Sequence, residues 1–302
     1  MRVLDKQILI VGGSGFYGSA LARSLGVDRV LRTYYKNKIE EGINFDLASS
    51  HVTDVLINYP NINKVIIAAG IIDFSTINQN PGKAHYHNVE FIRRLIDELA
   101  DLKLFPIFIS SESVFDGKEG NYVESDKTNP TFIYGVQKDL MEKYILEKFS
   151  AFQILRISKI FDSDLSGNTL VANWIKKLDE NEDIYCANDN IFSPIHLNDL
   201  CELSKRIINK NRSGIYHISS LVGLNRKDML RMVLDNYLEH NSYTGQIYYQ
   251  SLNEFSGAEN QPLNTSMNPT KAISETGFLP KNFDEWVKSI VKYRFSDQSW
   301  VN

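Results

Sequence analysis

Tyr134 and Lys138 are the residues of this sequence whose types and spacing point most directly to chemistry. They stand four positions apart, so on a helix they share one face and the lysine ammonium can approach the phenol. A nearby cation favours the ionised form of a phenol, whose ordinary pKa is about 10, and such a hydroxyl can exchange a proton near neutral pH. Most Tyr and Lys pairs at this spacing are ordinary surface pairs, so the elements around them decide the interpretation.

A glycine-rich turn near the N-terminus predicts a phosphate site. Residues 7–11 are an apolar run typical of a buried strand, and Gly12, Gly15, Phe16 and Gly18 lie in the turn and helix start that follow. Glycines at such a place allow a tight turn and let the backbone approach a pyrophosphate, which then meets the amides at the start of the helix. A glycine-rich turn without a ligand is the alternative.

Ser111 is a third candidate, because it follows the apolar run of residues 104–108. A serine at the carboxyl end of a strand in an open parallel sheet faces the crevice where ligands bind. Its hydroxyl can there hold a substrate carbonyl oxygen beside the tyrosine. Turn and cap serines are far commoner than catalytic ones, so the serine alone decides nothing.

Together, the glycine turn, the serine and the Tyr-x-x-x-Lys pair resemble the extended short-chain dehydrogenase/reductase superfamily, in which they occur in this order. The likeness is strongest to the dTDP-4-dehydrorhamnose reductases and related sugar-nucleotide reductases. Their Val-Phe-Asp-Gly signature appears at residues 114–117, and their Ser-Pro-x-His-x-x-Asp-Leu segment appears at residues 193–200. A Gly-x-Tyr-His strand at residues 214–217 extends the likeness over nearly the whole chain.

The resemblance implies NADPH-dependent reduction of a keto group, at C4, on a nucleotide-linked deoxysugar. Tyr134 is then the acid that protonates the developing alkoxide, and Ser111 orients the oxygen. Lys138 holds the nicotinamide ribose and lowers the pKa of Tyr134. Ser111, Glu112 and Lys159 are the residues predicted to contact the substrate.

Two alternatives stay open at this point. One is a sugar-nucleotide epimerase or dehydratase on the same fold, in which the cofactor stays bound and is recycled. The other is a non-catalytic, NADP-binding regulatory subunit similar to the methionine adenosyltransferase beta subunits, although the intact Ser, Tyr and Lys argue against it. The base, the sugar and the direction of the reaction are not determined by the sequence.

One position departs from the family's pattern. Where the dTDP-4-dehydrorhamnose reductases usually carry an aromatic residue that lines the sugar pocket, this sequence has Lys159. A lysine can donate hydrogen bonds to hydroxyls or phosphate but offers no apolar stacking surface, so we expect a different sugar or a different pose. Ser111 replaces the usual Thr and keeps the hydroxyl. Asn88 matches an Asn that supports the active-site region in the superfamily.

Short apolar runs alternate with amphipathic stretches, which predicts an α/β fold: a Rossmann-type doubly wound parallel sheet with a smaller α/β substrate-binding lobe. Further strands are predicted at residues 29–34, 64–69, 104–110 and 152–158. The dinucleotide-binding domain is assigned to residues 1–160 plus about 190–212, and the substrate-binding lobe to residues 161–189 and 213–302.

Cofactor choice depends on the end of the second strand, where NAD-dependent proteins commonly place an acid for the ribose hydroxyls. Residues 32–38 contain no acid, and Arg32, Lys36 or Lys38 can meet a 2′-phosphate instead. The sequence therefore favours NADP(H), with NAD(H) as the alternative. Other residues predicted to line the cofactor site are Asp46, Leu47, Ala68, Ala69 and Gly70.

Bulk properties suit an enzyme acting on small molecules. The 302 residues carry 33 basic and 37 acidic side chains, a net charge of −4, which suggests neither a nucleic-acid nor an anionic-membrane partner.

The two cysteines lack the spacing of a disulfide framework, which favours a reducing compartment, and cytoplasm is the expectation. His196 and His217 lack a ligand cluster, so no metal is predicted. Oligomeric state stays open, with a homodimer among the alternatives.

Overall fold

The computed structural model describes residues 6–258 and 260–296, and a parallel sheet forms its centre. The strands in chain order are β1 Ile8–Val11, β2 Val30–Tyr34, β3 Gly42–Asn44, β4 Lys64–Ile67, β5 Phe105–Ser111, β6 Gln153–Ile157, β7 Ile160–Phe161, β8 Ile184–Ala187, β9 Ile191–Phe192, β10 Ile195–His196, β11 Gly214–Ile218, β12 Leu224–Asn225 and β13 Ile247–Gln250. Seven of these strands form the central sheet, in the spatial order β11-β6-β5-β4-β1-β2-β3.

Helices connect the strands. They are α1 Phe16–Leu25, α2 Val52–Asn58, α3 Phe74–Gln79, α4 Pro81–His85, α5 Phe91–Asp101, α6 Ile133–Lys148, α7 Leu170–Asp179, α8 Leu197–Asn209, α9 Arg226–Leu238, α10 Thr270–Thr276 and α11 Phe283–Phe295. A π-helical turn spans Tyr86–Glu90, and short 3-10 helices span Glu112–Val114 and Leu252–Glu254. Within residues 6–258 and 260–296, none of the helices has the length and apolar character of a membrane span.

Both faces of the central sheet are covered, which explains why its strands are apolar without alternation. In β1, Ile8 and Ile10 belong to a core cluster that includes Leu21 of α1 and residues of α8. Successive side chains of a strand point to opposite faces, so Leu9 and Val11 join the other cluster, which includes residues of α5 and α6. The predicted doubly wound α/β class is confirmed.

The strand order changes direction between β1 and β4, since the chain proceeds outward from β1 through β2 to β3 and then returns to β4. In open parallel sheets of this kind, ligands bind in the crevice at the carboxyl ends of the strands at such a switch point. The five predicted strands of the N-terminal half are present with small shifts at their ends. The short edge strand β3 is an addition that the sequence pattern did not predict.

The predicted domain boundary is wrong at residues 214–218. Strand β11 pairs with β6 in parallel register, Tyr216 opposite Leu155, so this segment is an edge strand of the central sheet and not part of the smaller lobe. Helix α10 also returns to the central body, because Lys271 donates a hydrogen bond of 2.7 Å to the carbonyl of Ile215. Its apolar residue Ala272 is buried in the same cluster as Ile8 and Ile10.

A separate apolar cluster lies beyond the sheet. It draws side chains from α7, α9 and α11 and from strand β8, among them Trp174, Leu230 and Val287. Small two-stranded sheets accompany this cluster: β8 pairs with β13, β9 pairs antiparallel with β12, and β7 pairs with β10. These short strands lie outside the regular sheet pattern, and tertiary contacts rather than sequence periodicity define them.

Candidate active site

The structure brings Ser111 and Tyr134 together. Ser111 ends strand β5, and its hydroxyl caps the following 3-10 helix by accepting a 3.2 Å hydrogen bond from the amide of Ser113. Tyr134 lies in the first turn of α6 and is buried, with its ring 5.6 Å from that of Phe74. The Ser111 hydroxyl donates a 3.1 Å hydrogen bond to Oγ of Ser113 and is near enough to the phenol to lower the pKa of Tyr134. The predicted hydroxyl pair therefore exists at the carboxyl edge of the sheet.

Gly135 allows this approach. A Cβ atom at this position would lie 2.1 Å from the carbonyl oxygen of Ser113 and 2.9 Å from Pro130, distances that real side chains do not reach. The first turn of α6 consequently packs directly on the segment after β5. The Tyr-Gly dipeptide thus fixes the position of the phenol relative to Ser111.

The predicted lowering of the Tyr134 pKa is wrong for the protein without ligands. Burial raises this pKa well above its ordinary value, the nearby hydroxyl of Ser111 lowers it, and the nearby carboxylate of Glu112 raises it further. A phenol in this state keeps its proton at neutral pH. That protonation state suits a donor to a developing alkoxide.

Lys138 faces the carbonyl of Ile109 in β5 and donates a hydrogen bond of 2.8 Å to it. Its ammonium also lies 4.8 Å from the ring centroid of Phe108 and 5.7 Å from that of Tyr134. Burial lowers the pKa of Lys138 to about 8, and the carboxylate of Glu142 opposes that shift. The lysine is therefore anchored to the sheet on the same helix face as the tyrosine.

Asn88 connects two parts of the site. Its side-chain oxygen accepts a 2.7 Å hydrogen bond from the amide of Ile71, and its amide donates 2.8 Å and 2.7 Å hydrogen bonds to Ile71 and to the side chain of Gln137. The residue lies on the π-helical turn, a feature often found at functional sites. Asn88 thereby ties the segment after β4 to helix α6, in line with the supporting role predicted for it.

The two histidines considered for a metal are packed among other residues. The imidazole of His196 is stacked on Trp286 at 3.5 Å, and burial lowers its pKa to about 4. His217 accompanies the buried Arg156–Glu142 ion pair, and burial and the guanidinium lower its pKa to about 3. Among the described residues, no group of three or more His, Cys, Asp or Glu side chains is arranged to hold a metal ion.

A cleft of about 520 Å³ lies at the switch point. Of the predicted cofactor residues, those that line it are Gly12, Gly15, Lys36, Asp46, Leu47, Ala68, Ala69 and Gly70. Gly12 has a φ of +91°, and a Cβ on Gly18 would lie 2.3 Å from the Gly12 carbonyl oxygen. The turn and the first turn of α1 therefore pack closely, as a backbone cradle for phosphate requires. Phe16, Gly18, Tyr134 and Lys138 were also predicted to bind the cofactor and do not line this cleft.

The three predicted basic residues differ in position, and Lys38 does not line the cleft. Arg32 donates a 2.9 Å hydrogen bond to the carbonyl of Glu40, and its stem packs on Gly13, so it holds the neighbouring loop and does not line the cleft. Lys36 does line the cleft. Lys83 and His87 line it as well, and the sequence analysis missed them. The sequence feature that could have indicated them is their spacing of four residues, which places both side chains on one face of a helix.

Glu112 and Lys159, which were predicted to contact the substrate, follow strands β5 and β6. The buried carboxylate of Glu112 accepts a hydrogen bond from Ser158, and burial raises its pKa. The half-buried Lys159 donates to the side-chain oxygen of Asn190 at 3.4 Å and lies 4.7 Å from the ring centroid of Phe192. Burial and nearby positive charge lower the pKa of Lys159 to about 8.

The sequence motifs and this geometry agree with a comparison of families. The sequence model of one protein family, described as the RmlD substrate binding domain, matches residues 6–295. The chain belongs to this family. It is thereby a member of the extended short-chain dehydrogenase/reductase superfamily, and the resemblance drawn from the motifs is confirmed.

Individual relatives of this RmlD-family chain are distant. Methionine adenosyltransferase 2 subunit beta from Bos taurus is 22% identical over 246 residues, which are 78% of this chain and 74% of that protein. A hypothetical dTDP-4-dehydrorhamnose reductase from Sulfolobus tokodaii has a similar structure, with a TM-score of 0.79, 26% identity and coverage of 92% of this chain and 98% of the other. The dTDP-4-dehydrorhamnose reductase from Bacillus anthracis in complex with NADP has a TM-score of 0.79 at 20% identity, covering 95% and 99%.

Proposed function

We propose that this protein reduces a keto group, at C4, of a nucleotide-linked deoxysugar with NADPH. The observation that carries the proposal is the buried Tyr134 phenol beside the Ser111 hydroxyl at the carboxyl edge of the sheet. The adjoining cleft with its close glycine backbone suits a dinucleotide. Membership of the RmlD family and the similarity to the dTDP-4-dehydrorhamnose reductases support the same chemistry.

The residues of the cleft would hold a nicotinamide cofactor, which would supply the hydride for the carbonyl carbon. Ser111 donates a hydrogen bond to the carbonyl oxygen and orients it. Tyr134 transfers its phenolic proton to that oxygen as negative charge develops, which gives the alcohol. The raised pKa of the phenol keeps it protonated until that moment. Lys138 stays charged at neutral pH beside the phenol and is the residue assigned to the nicotinamide ribose.

A panel of dTDP-, UDP- and GDP-linked 4-keto sugars tests the proposal by the change in NADPH absorbance. A reductase consumes one NADPH for each sugar reduced. Conversion of the sugar without net loss of NADPH would show an epimerase or a dehydratase instead. The same panel is then repeated with NADH, since the choice between the two cofactors belongs to the proposal.

A regulatory subunit is the second candidate, because the relative in Bos taurus is methionine adenosyltransferase 2 subunit beta. Such a protein would bind NADPH but show no turnover with any sugar of the panel. Calorimetric titration with NADPH, run beside the activity assay, separates the two candidates. Binding without turnover across all bases favours the regulatory role, whereas turnover that disappears in Tyr134→Phe establishes the reductase.

A further inference from the structure

Two cations on the substrate side of the site lack partners of opposite charge. Lys159 and Arg226 are both half-buried. Among the residues that the structure describes, no carboxylate lies within 4 Å of either group, and the buried Nε of Arg226 has no hydrogen-bond partner. Buried charges are normally paired, because the loss of hydration costs free energy that only a partner restores.

Lys159 and Arg226 both contact Asn190, the first through its ammonium and the second through its backbone. The ammonium of Lys159 is 3.4 Å from the side-chain oxygen of Asn190, and the backbone amide of Arg226 donates a 2.8 Å hydrogen bond to the backbone carbonyl of the same residue. The positive charge of Arg226 also contributes to the lowered pKa of Lys159. The two side chains are therefore electrostatic neighbours, although 67 positions separate them in the sequence.

This pair lies beside the reacting hydroxyls. In the sheet, Ser111 of β5 is in register with Ile157 of β6, and Lys159 follows Ile157 by two residues at the same carboxyl edge. Glu112 connects the two places, since its carboxylate accepts a hydrogen bond from Ser158 and raises the pKa of Tyr134. A group bound by Lys159 is consequently close to the carbonyl carbon whose oxygen contacts Tyr134 and Ser111 in the proposed reaction.

The charges do not cancel within the cluster. Glu112 is the carboxylate that acts on both cations, and its oxygens already accept hydrogen bonds from Ser158 and Thr265. Asp189 acts more weakly on Arg226, and its two oxygens accept hydrogen bonds of 2.6 Å and 2.8 Å from Ser251 and Leu252. An additional anion would therefore meet positive charge at Lys159 and Arg226 that no ion pair within the protein neutralises.

We propose that the natural substrate is an acidic sugar nucleotide, whose sugar carboxylate binds between Lys159 and Arg226. The inference rests on the proposed reduction at C4 and changes the sugar, because a carboxylate takes the place of the methyl group that a 6-deoxysugar carries. The diphosphate does not fit this place as well, because it is attached at C1, across the sugar ring from a reacting C4. Lys159 lies near the Tyr134 and Ser111 hydroxyls. A substituent on a ring carbon next to C4 would lie on that side of the sugar.

Titration calorimetry with matched probes tests the proposal: UDP-glucuronic acid against UDP-glucose, dTDP-glucuronic acid against dTDP-glucose, and UDP and dTDP alone. The protein should bind the acid of at least one pair about tenfold or more tighter than its neutral counterpart, as charge-assisted hydrogen bonds to a desolvated anion imply. Lys159→Met and Arg226→Gln should each reduce that preference about tenfold, because each weakens binding of the acid far more than binding of the neutral sugar. Retained affinity for the neutral sugar also shows that each variant is folded.

Lys227→Met is the control, because Lys227 is the adjacent exposed cation and lies over the ring of Tyr249. It should leave the preference intact. Equal affinity for acidic and neutral sugars overturns the inference but leaves the proposed reductase standing. A uniform loss of UDP or dTDP affinity in Lys159→Met would assign the cations to the diphosphate and overturn it too. Failure of every nucleotide sugar to bind overturns the proposed function, and the inference with it.

Discussion

The ammonium of Lys138 lies 5.7 Å from the ring centroid of Tyr134, while its 2.8 Å hydrogen bond goes to the backbone of β5. The two residues share one helix face, as their spacing predicts. Burial nevertheless raises the pKa of the phenol and lowers that of the ammonium to about 8. In the free protein, desolvation therefore outweighs the attraction between the two groups, and each of them is held closer to its neutral form.

Tyr134→Phe should abolish most turnover and leave cofactor affinity nearly intact, because only the proton donor is removed. General acid catalysis is typically worth about 10²–10⁴-fold in rate, so kcat should fall by that factor. The measurement is kcat for the best sugar of the panel together with the Kd for NADPH. Tyr144→Phe is the matched control, since it removes a hydroxyl from the same helix that bonds to Asp97, away from the site. Full activity in Tyr134→Phe would exclude the proposed proton transfer.

Lys138→Met should weaken both turnover and NADPH binding, because the lysine is assigned to the phenol and to the nicotinamide ribose. The expected losses are about tenfold or more in each, the value of one charge-assisted hydrogen bond. Steady-state kinetics and calorimetry measure the two effects separately. Lys143→Met on the same helix, which removes an ion pair with Asp139, serves as the control. A normal Kd for NADPH would count against the ribose role.

Lys138 should also affect stability as the pH changes. Its pKa of about 8 in the folded protein is below the ordinary value of 10.5, so between these values the unfolded chain binds more protons. The contribution of Lys138 to the free energy of unfolding therefore rises with pH from about 8 upward. Relative to Lys138→Met, the unmodified protein should gain on the order of 1 kcal/mol between pH 7.5 and 9.5 in urea unfolding. A constant difference across that range would mean that the ammonium is not desolvated.

Cofactor preference should depend on Lys36 more than on Arg32. Lys36 lines the cleft, whereas Arg32 holds the Glu40 carbonyl. NADPH should bind about tenfold tighter than NADH, and Lys36→Ala should remove most of that gap while changing NADH affinity little. Arg32→Ala should weaken both cofactors alike through the loop. Calorimetry with both cofactors decides, and equal affinities in the unmodified protein would show that NADPH is not preferred.

Gly18→Ala should disrupt the cofactor turn. The new methyl group would lie 2.3 Å from the Gly12 carbonyl oxygen, so α1 must move away from the turn. We expect the Kd for NADPH to rise about tenfold or more and the Tm to fall, as overpacking typically costs about 1–3 kcal/mol. Gly82→Ala is the control, because a Cβ at Gly82 meets no atom within 4 Å. An unchanged Kd in Gly18→Ala would show that the close packing is unnecessary for the cofactor.

The sequence by itself determined the fold class and the central site. Residues 7–11 are apolar without alternation because both faces of β1 are covered, and that pattern is visible in any buried parallel strand. Parallel strands place their carboxyl ends at one edge of the sheet, so a serine at the end of β5 and a tyrosine at the start of helix α6 had to lie near each other. The spacing of Tyr134 and Lys138 fixed their common helix face.

Tertiary structure alone decided the rest. Which basic side chain reaches the cleft depends on rotamers and loop contacts, so Lys36 lines it while Arg32 turns to Glu40. The membership of residues 214–218 in the central sheet rests on pairing with a strand far away in the sequence. The pKa values of Tyr134 and Lys138 follow from burial, which no spacing encodes. For the same reason, the unpaired cations beside Asn190 became visible only when the folded chain brought Arg226 next to Lys159.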